Sequence, residues 1–204
     1  LRSFFHSGVP LTHDFNNHLA RVANFYIMVK DLHFPPRWAP NLNYKFGYPV
    51  FNYMYYFPYI PAVPLYVLGL SFQQSLKIVI FSLYLLSGIS FFKFLKKYCS
   101  DLPALAGVIL YLSAPSHLLQ IFVRGNVGEA IAWLLIPICL YFYQNFIDKI
   151  EKHQKYNLSL IFISVSIFIL MISHNSVYAF SLVLFSIYAI SRFLNTKKKS
   201  LKKL

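Results

Sequence analysis

Acidic residues are scarce in this 204-residue chain: six Asp and Glu stand against nineteen Lys and Arg, a net charge of +13. Charged residues of both signs make up only 12%, about half of the roughly 25% found in soluble domains. So few charges cannot cover a water-soluble surface around a chain that is 57% hydrophobic and 19% aromatic. The positive excess does not read as affinity for nucleic acid either, because the basic residues fall in short clusters between apolar runs. Cysteine is nearly missing. Cys99 beside a lysine cluster and Cys139 inside an apolar run form neither a C-x-x-C pair nor a disulfide framework, and both read as structural. Nothing before the first polar loop has the charged start and apolar core of a signal peptide. The chain is expected to be a piece of a longer membrane protein, cut at both ends.

What is present is a series of apolar runs. Residues 74–95 are enough to cross about 30 Å of hydrocarbon and end in Lys93, Lys96 and Lys97. Residues 102–123 return, with Pro103 near the start and Pro115 near the end, and the short loop Arg124 to Glu129 follows. Residues 130–147 go back and stop before Lys149, Lys152 and Lys155. The last apolar region is too long for one helix and is interrupted by Ser173-His174-Asn175-Ser176, so it divides into spans at 157–173 and 176–194. A basic tail, 196–204, closes the chain with Lys197, Lys198, Lys199, Lys202 and Lys203. The basic clusters share one side only if five helices span, and the positive-inside rule makes that side cytoplasmic.

The expected fold class is therefore all-α: a polytopic membrane protein of about five transmembrane helices (residues 73–195) behind a large extracytoplasmic loop (residues 1–72). Inside that loop, Phe15, Leu19, Val22, Tyr26 and Val29 step by fours and threes, which predicts an amphipathic helix over about 14–32 lying on the membrane. Residues 49–70 are apolar and aromatic but carry Pro58, Pro61 and Pro64, which predicts an interfacial or re-entrant element.

With so few acids, the search for a base or a metal ligand is short. Asp14, His18 and Arg21 are spaced i, i+4, i+7, one face of a helix, where a carboxylate, an imidazole and a guanidinium meet at the membrane surface. The plainer reading has Asp14 cap the helix while His18 and Arg21 form a solvated face. A zinc site is disfavoured by the missing H-x-x-x-H spacing, and a divalent ion such as Mg or Mn on Asp14 and Glu129 stays open. Pro35-Pro36-Arg37-Trp38 reads as an ordered extended loop whose Arg37 suits phosphate and whose Trp38 suits an interface, a sugar ring or a structural clamp. Arg124 and Glu129 flank Gly125 and Gly128, either to bring backbone close to a ligand or as an ion pair closing a turn. His174 and Asn175 sit where the last two spans turn.

Taken in order, His13-Asp14 with His18 and Arg21, the Phe34 to Pro40 run, Phe46-Gly47-Tyr48-Pro49-Val50-Phe51-Asn52-Tyr53, Arg124-Gly125 with Glu129, and Ser173-His174-Asn175 resemble a known group over nearly the whole chain. It is the prokaryotic multi-span membrane family labelled pyruvoyl-tetrahydropterin-synthase-related. The soluble synthase reaction is not implied, since its zinc-binding histidine set is lacking. The architecture also resembles the GT-C class of glycosyltransferases, which take sugars from polyprenyl-phosphate carriers on the extracytoplasmic face. That resemblance implies Asp14 and Glu129 as catalytic or metal-binding acids, and His18, Arg21, Arg37, Trp38, Arg124 and His174 as substrate-binding residues. A span ahead of the first loop and an Asp-x-Asp pair in the second would complete the pattern. The alternative is a non-enzymatic transporter or flippase-like component. The implied partners are the lipid bilayer and a polyprenyl-phosphate sugar donor, not nucleic acid.

Overall fold

A computed structural model describes residue 6 and residues 8–201, with the side chains of residues 193 and 195–201 outside the description. The predicted basic tail thus falls outside the described residues, apart from the backbone of 196–201. Among the described residues the chain is helical with no strand; one isolated antiparallel bridge joins Ala39 to Tyr48.

The elements are α1 (Phe15–Lys30), α2 (Tyr59–Val67), α3 (Phe72–Leu95), α4 (Asp101–Leu112), α5 (Pro115–Leu118) running into a π-helical turn (Leu119–Arg124), α6 (Val127–Glu151), α7 (Asn157–Ser173) and α8 (Asn175–Leu201). Among the described residues, three are long and apolar enough to cross a membrane: α3, the stretch Asp101–Arg124, and α6. Helix α7 is apolar but shorter, at 17 residues.

Local chemistry sets these boundaries. Ser71 and Gln74 form a reciprocal capping box at the start of α3, two residues before the predicted start. The residue before a proline is pushed out of the helical region, so Ala114 is extended and Pro115 opens a new helix. The predicted span 102–123 is accordingly broken in its second half instead of carrying Pro115 inside one continuous helix. Between α7 and α8 the break is a single extended residue, His174, with φ −166° and ψ 112°.

Helix α6 is the central post. Half of its apolar window is buried, against 22% for α3 and for Asp101–Arg124, and it packs against α3, α7 and α8. Leu76, Ile131, Leu134 and Leu170 close this core, while Leu86, Ile89, Leu110, Phe168 and Ile187 face outward as an exposed apolar belt, the surface that hydrocarbon rather than water covers.

Contacts at the helix ends define two poles. At one, Asp148 accepts from Lys97 at 2.6 Å and Arg192 at 3.2 Å, and Arg192 also reaches Glu151 at 2.6 Å. At the other lie residues 12–18, 55–59 and 124–129 together with His174. Helix α8 starts beside Tyr55 and passes Tyr143 to bring Arg192 to Asp148, so it runs from one pole to the other.

One expectation changes. The apolar stripe of α1 does not face a membrane: Phe15 and Val22 are buried, and Phe25 packs on Phe51, Tyr56 and Tyr59. The aromatic loop after α1 supplies the apolar surface that lipid was expected to supply. The segment 49–70 contains a 3-10 turn (Val50–Asn52) and the nine-residue α2. At 1.5 Å per residue that helix is about 13 Å long and cannot cross a bilayer.

Asp148→Ala leaves two half-buried cations without their shared carboxylate, and is expected to lower the thermal unfolding midpoint in detergent by several degrees. Lys96→Ala, which removes an ion pair to the exposed Asp101, is expected to leave it unchanged.

Candidate functional site

The site is built on the start of α6. A helix begins with backbone N–H groups that have no partner in the helix itself, and here successive ones are taken by different parts of the chain. The Val127 N–H donates to His18 Nε2 at 3.3 Å, the Gly128 N–H faces the Tyr55 hydroxyl, and the Glu129 N–H donates to the N-cap side chain of Asn126 at 3.2 Å. Residues 12–14 are strapped on from the other side: His13 N–H donates to the Val123 carbonyl and Asp14 N–H to that of Arg124.

His18 is only 1% exposed, so the predicted solvated face does not exist at this position. Because Nε2 accepts from a backbone N–H, the neutral ring must carry its proton on Nδ1, which donates to the Tyr59 hydroxyl at 2.8 Å. Burial, helped by Arg21, lowers the His18 pKa to about 3. A charged imidazolium would lose its acceptor and point a positive charge at the positive end of α6.

Glu129 sits in the first turn of α6, not in a loop. Its Oε1 accepts from Gln120 at 2.7 Å, and its Oε2 from Arg124 at 3.1 Å and from Asn126 at 3.2 Å. Both oxygens are committed, so the ion-pair reading of Arg124 and Glu129 holds and the carboxylate acts as an organiser. Asp14 differs. Its side chain makes no capping bond to α1, a role the Thr12 hydroxyl fills for the Phe15 N–H, and among the described residues it accepts only from Asn17 at 3.4 Å. Arg21 lies beside the Tyr59 hydroxyl and, among the described residues, forms no ion pair.

Tyr55, which sequence reasoning passed over, joins these groups. Its hydroxyl donates to Asn126 at 2.7 Å, its ring stacks on His18 at 6.0 Å and lies 5.4 Å from His174. Its pKa is raised to about 12, chiefly by burial; Asp14 and Glu129 push it up and Arg21 pulls it down. Both acids and Arg21 are therefore near enough to one hydroxyl for their charges to act on it. The signal for Tyr55 lay in Gly128: a Cβ there would coincide with the Tyr55 ring, but the partner of a close approach cannot be read from the glycine alone. Gly125, at φ +64°, has the same need twice over, since a Cβ would strike Thr12.

His174 belongs to the cluster through Tyr55; its Nδ1 accepts from the Val177 N–H at 3.5 Å, and burial lowers its pKa. Arg37 and Trp38 do not join it. Trp38 covers Gly47 on an exposed clasp closed by the Ala39–Tyr48 bridge, the structural clamp. Among the described residues no three His, Cys, Asp or Glu side chains come together to hold a metal. With both Glu129 oxygens engaged, Asp14 alone is a poor ligand set for a divalent ion.

The fold and this cluster define a helical membrane protein with a polar site at one pole of an apolar bundle. The chain belongs to the 6-pyruvoyl-tetrahydropterin synthase related family of membrane proteins, whose sequence profile matches residues 51–203. Glu129, Arg124, Tyr55 and His174 lie within the match, whereas Asp14, His18 and Arg21 precede it. No curated protein and no solved structure matches the chain.

Gly128→Ala is expected to cost about 1–3 kcal/mol through overpacking against Tyr55. Thermal unfolding of Gly128→Ala, of Tyr55→Ala and of the double variant checks this, since in the Tyr55→Ala background the added methyl should cost little. His18 gives a pH signature. Its folded pKa lies below the ordinary 6.5, so its stabilising share is complete above pH 6.5 and declines as pH falls toward 3. His18→Gln should flatten the unfolding midpoint over that range.

Proposed function

We propose that this chain is part of a GT-C-like membrane glycosyltransferase, moving a sugar from a polyprenyl-phosphate carrier to an acceptor hydroxyl on the extracytoplasmic face. In this reading five helices span, with α7 and α8 joining the three longer ones; the Asp14 pole faces outward, and the Asp148 pole and the basic tail face the cytoplasm. The observation that carries the reading is the pairing, near Tyr55, of an acid and a cation that form no ion pair among the described residues: Asp14, which accepts from Asn17, and Arg21, which bonds the neutral Tyr59 hydroxyl.

The chemistry follows from those two groups. The acceptor oxygen attacks the anomeric carbon, its proton passes to the Asp14 carboxylate, and the bond from that carbon to the phosphate oxygen breaks. Polyprenyl phosphate leaves with the electron pair, its charge held by Arg21 and by the outer side of the Arg124 guanidinium, 41% of whose side chain is exposed. The N-terminus of α6 adds a positive end to the same place. Glu129 positions Arg124 and Asn126 rather than taking the proton.

Asp14→Asn should reduce transfer from labelled polyprenyl-phosphate sugars by about 10²–10⁴-fold, the usual worth of a general base, with membrane insertion unchanged. Arg21→Ala should raise the donor KM by about tenfold or more, the loss of one charge-assisted contact. Full transfer by the Asp14 variant in the complete protein would end this reading.

A further inference from the structure

Tyr55 has a second side. Away from the charged cluster it lines an open cleft of about 440 Å³, with Phe51, Tyr53 and Tyr56 from its own loop and Asn175 and Tyr178 from the start of α8. That volume lies within the range of small-molecule sites.

Three features of this cleft point to one kind of ligand. No Asp, Glu, Lys, Arg or His lines it, so it offers nothing to a phosphate or to a charged headgroup. Its polar groups are unspent: the amides of Asn52 and Asn175 and the hydroxyls of Tyr53, Tyr56 and Tyr178 make no hydrogen bond to protein among the described residues, while Tyr55 next to them is committed to Asn126. Finally, its walls are mostly aromatic faces at the helix ends, with Met54, Met171 and Ile172 between them. A polyprenyl chain would need an apolar trough running down the spans, where these amides would be left unpaired at a cost. A neutral ring with one C–H face and a rim of hydroxyls satisfies both kinds of surface, the face against the negative π-cloud and the rim against the amides.

We propose that this cleft is a subsite for a neutral pyranose ring, packed on Tyr53 and Tyr178 and hydrogen-bonded by Asn52 and Asn175. Its place in a reaction rests on the transferase reading above; its binding chemistry does not. Tyr55, shared by cleft and cluster, would set the ring beside Asp14 and Arg21, separating recognition of the uncharged sugar from that of the phosphate.

Saturation-transfer NMR on the whole chain in lipid nanodiscs, with a panel of methyl hexopyranosides, tests this directly. At least one glycoside should receive saturation at its ring protons. Tyr53→Ala and Asn175→Ala, both at exposed positions and checked for unchanged thermal unfolding, should each reduce the signal about fivefold or more, and Asp14→Asn should leave it intact. Displacement by a polyprenyl-phosphate hexose but not by bare polyprenyl phosphate assigns the subsite to the donor sugar. Displacement by neither assigns it to the acceptor, and both results uphold it. Absence of signal across the panel, signal indifferent to both variants, or equal displacement by bare polyprenyl phosphate would overturn it. Glycoside binding that persists while Asp14→Asn retains full transfer would remove the catalytic reading and leave the subsite standing.

Discussion

The first turn of α6 has backbone N–H groups that the helix cannot satisfy, and much of the polar architecture at that pole follows from where they go. His18 takes the Val127 N–H, Asn126 takes that of Glu129, and the Tyr55 hydroxyl faces that of Gly128. In an apolar bundle an unpartnered donor costs several kcal/mol, so each of these contacts is a strong constraint. Three parts of the chain far apart in sequence are tied to one point: α1 through His18, the aromatic loop through Tyr55, and the π-helical turn through Gln120 and Arg124 on Glu129.

The site follows from that arrangement. Glu129 and His18, which as isolated residues look like a second acid and a ligand, are consumed in holding the pole together. Asp14 and Arg21 sit next to the same knot, Arg21 bonded to it through the neutral Tyr59 hydroxyl, and among the described residues neither forms an ion pair, which leaves their charges to meet something from outside. The π-helical turn brings Arg124 and Gln120 to Glu129, and Gly125 at its end lets Thr12 and Asp14 close over it. Irregular helical turns of this kind recur at functional positions, and here the irregularity serves the side chains that organise the pole.

Much of this was legible in one dimension. Charge scarcity and apolar runs determined that the chain is a helical membrane protein, because hydrocarbon tolerates only backbone that satisfies itself. Pro58, Pro61 and Pro64 kept residues 49–70 from being read as a span, and His174 marked the break between α7 and α8, since prolines and short polar interruptions act locally. The i, i+4, i+7 spacing likewise placed His18 and Arg21 on one helix, with Asp14 as its N-cap.

Which of those residues is buried, which is saturated and which is left over was decided only by tertiary structure. His18 and the N-cap Asp14 are four residues apart, yet one is buried against Val127 and Tyr59 and the other is half-exposed. The difference comes from partners 109 and 41 residues away from His18, beyond the reach of any local pattern. Tyr55 was hidden for the same reason: one of sixteen tyrosines, it is distinguished only by the glycine and the helix end it packs against. Composition and period set the class of protein, while the capture of α6's first amides by distant side chains set the site.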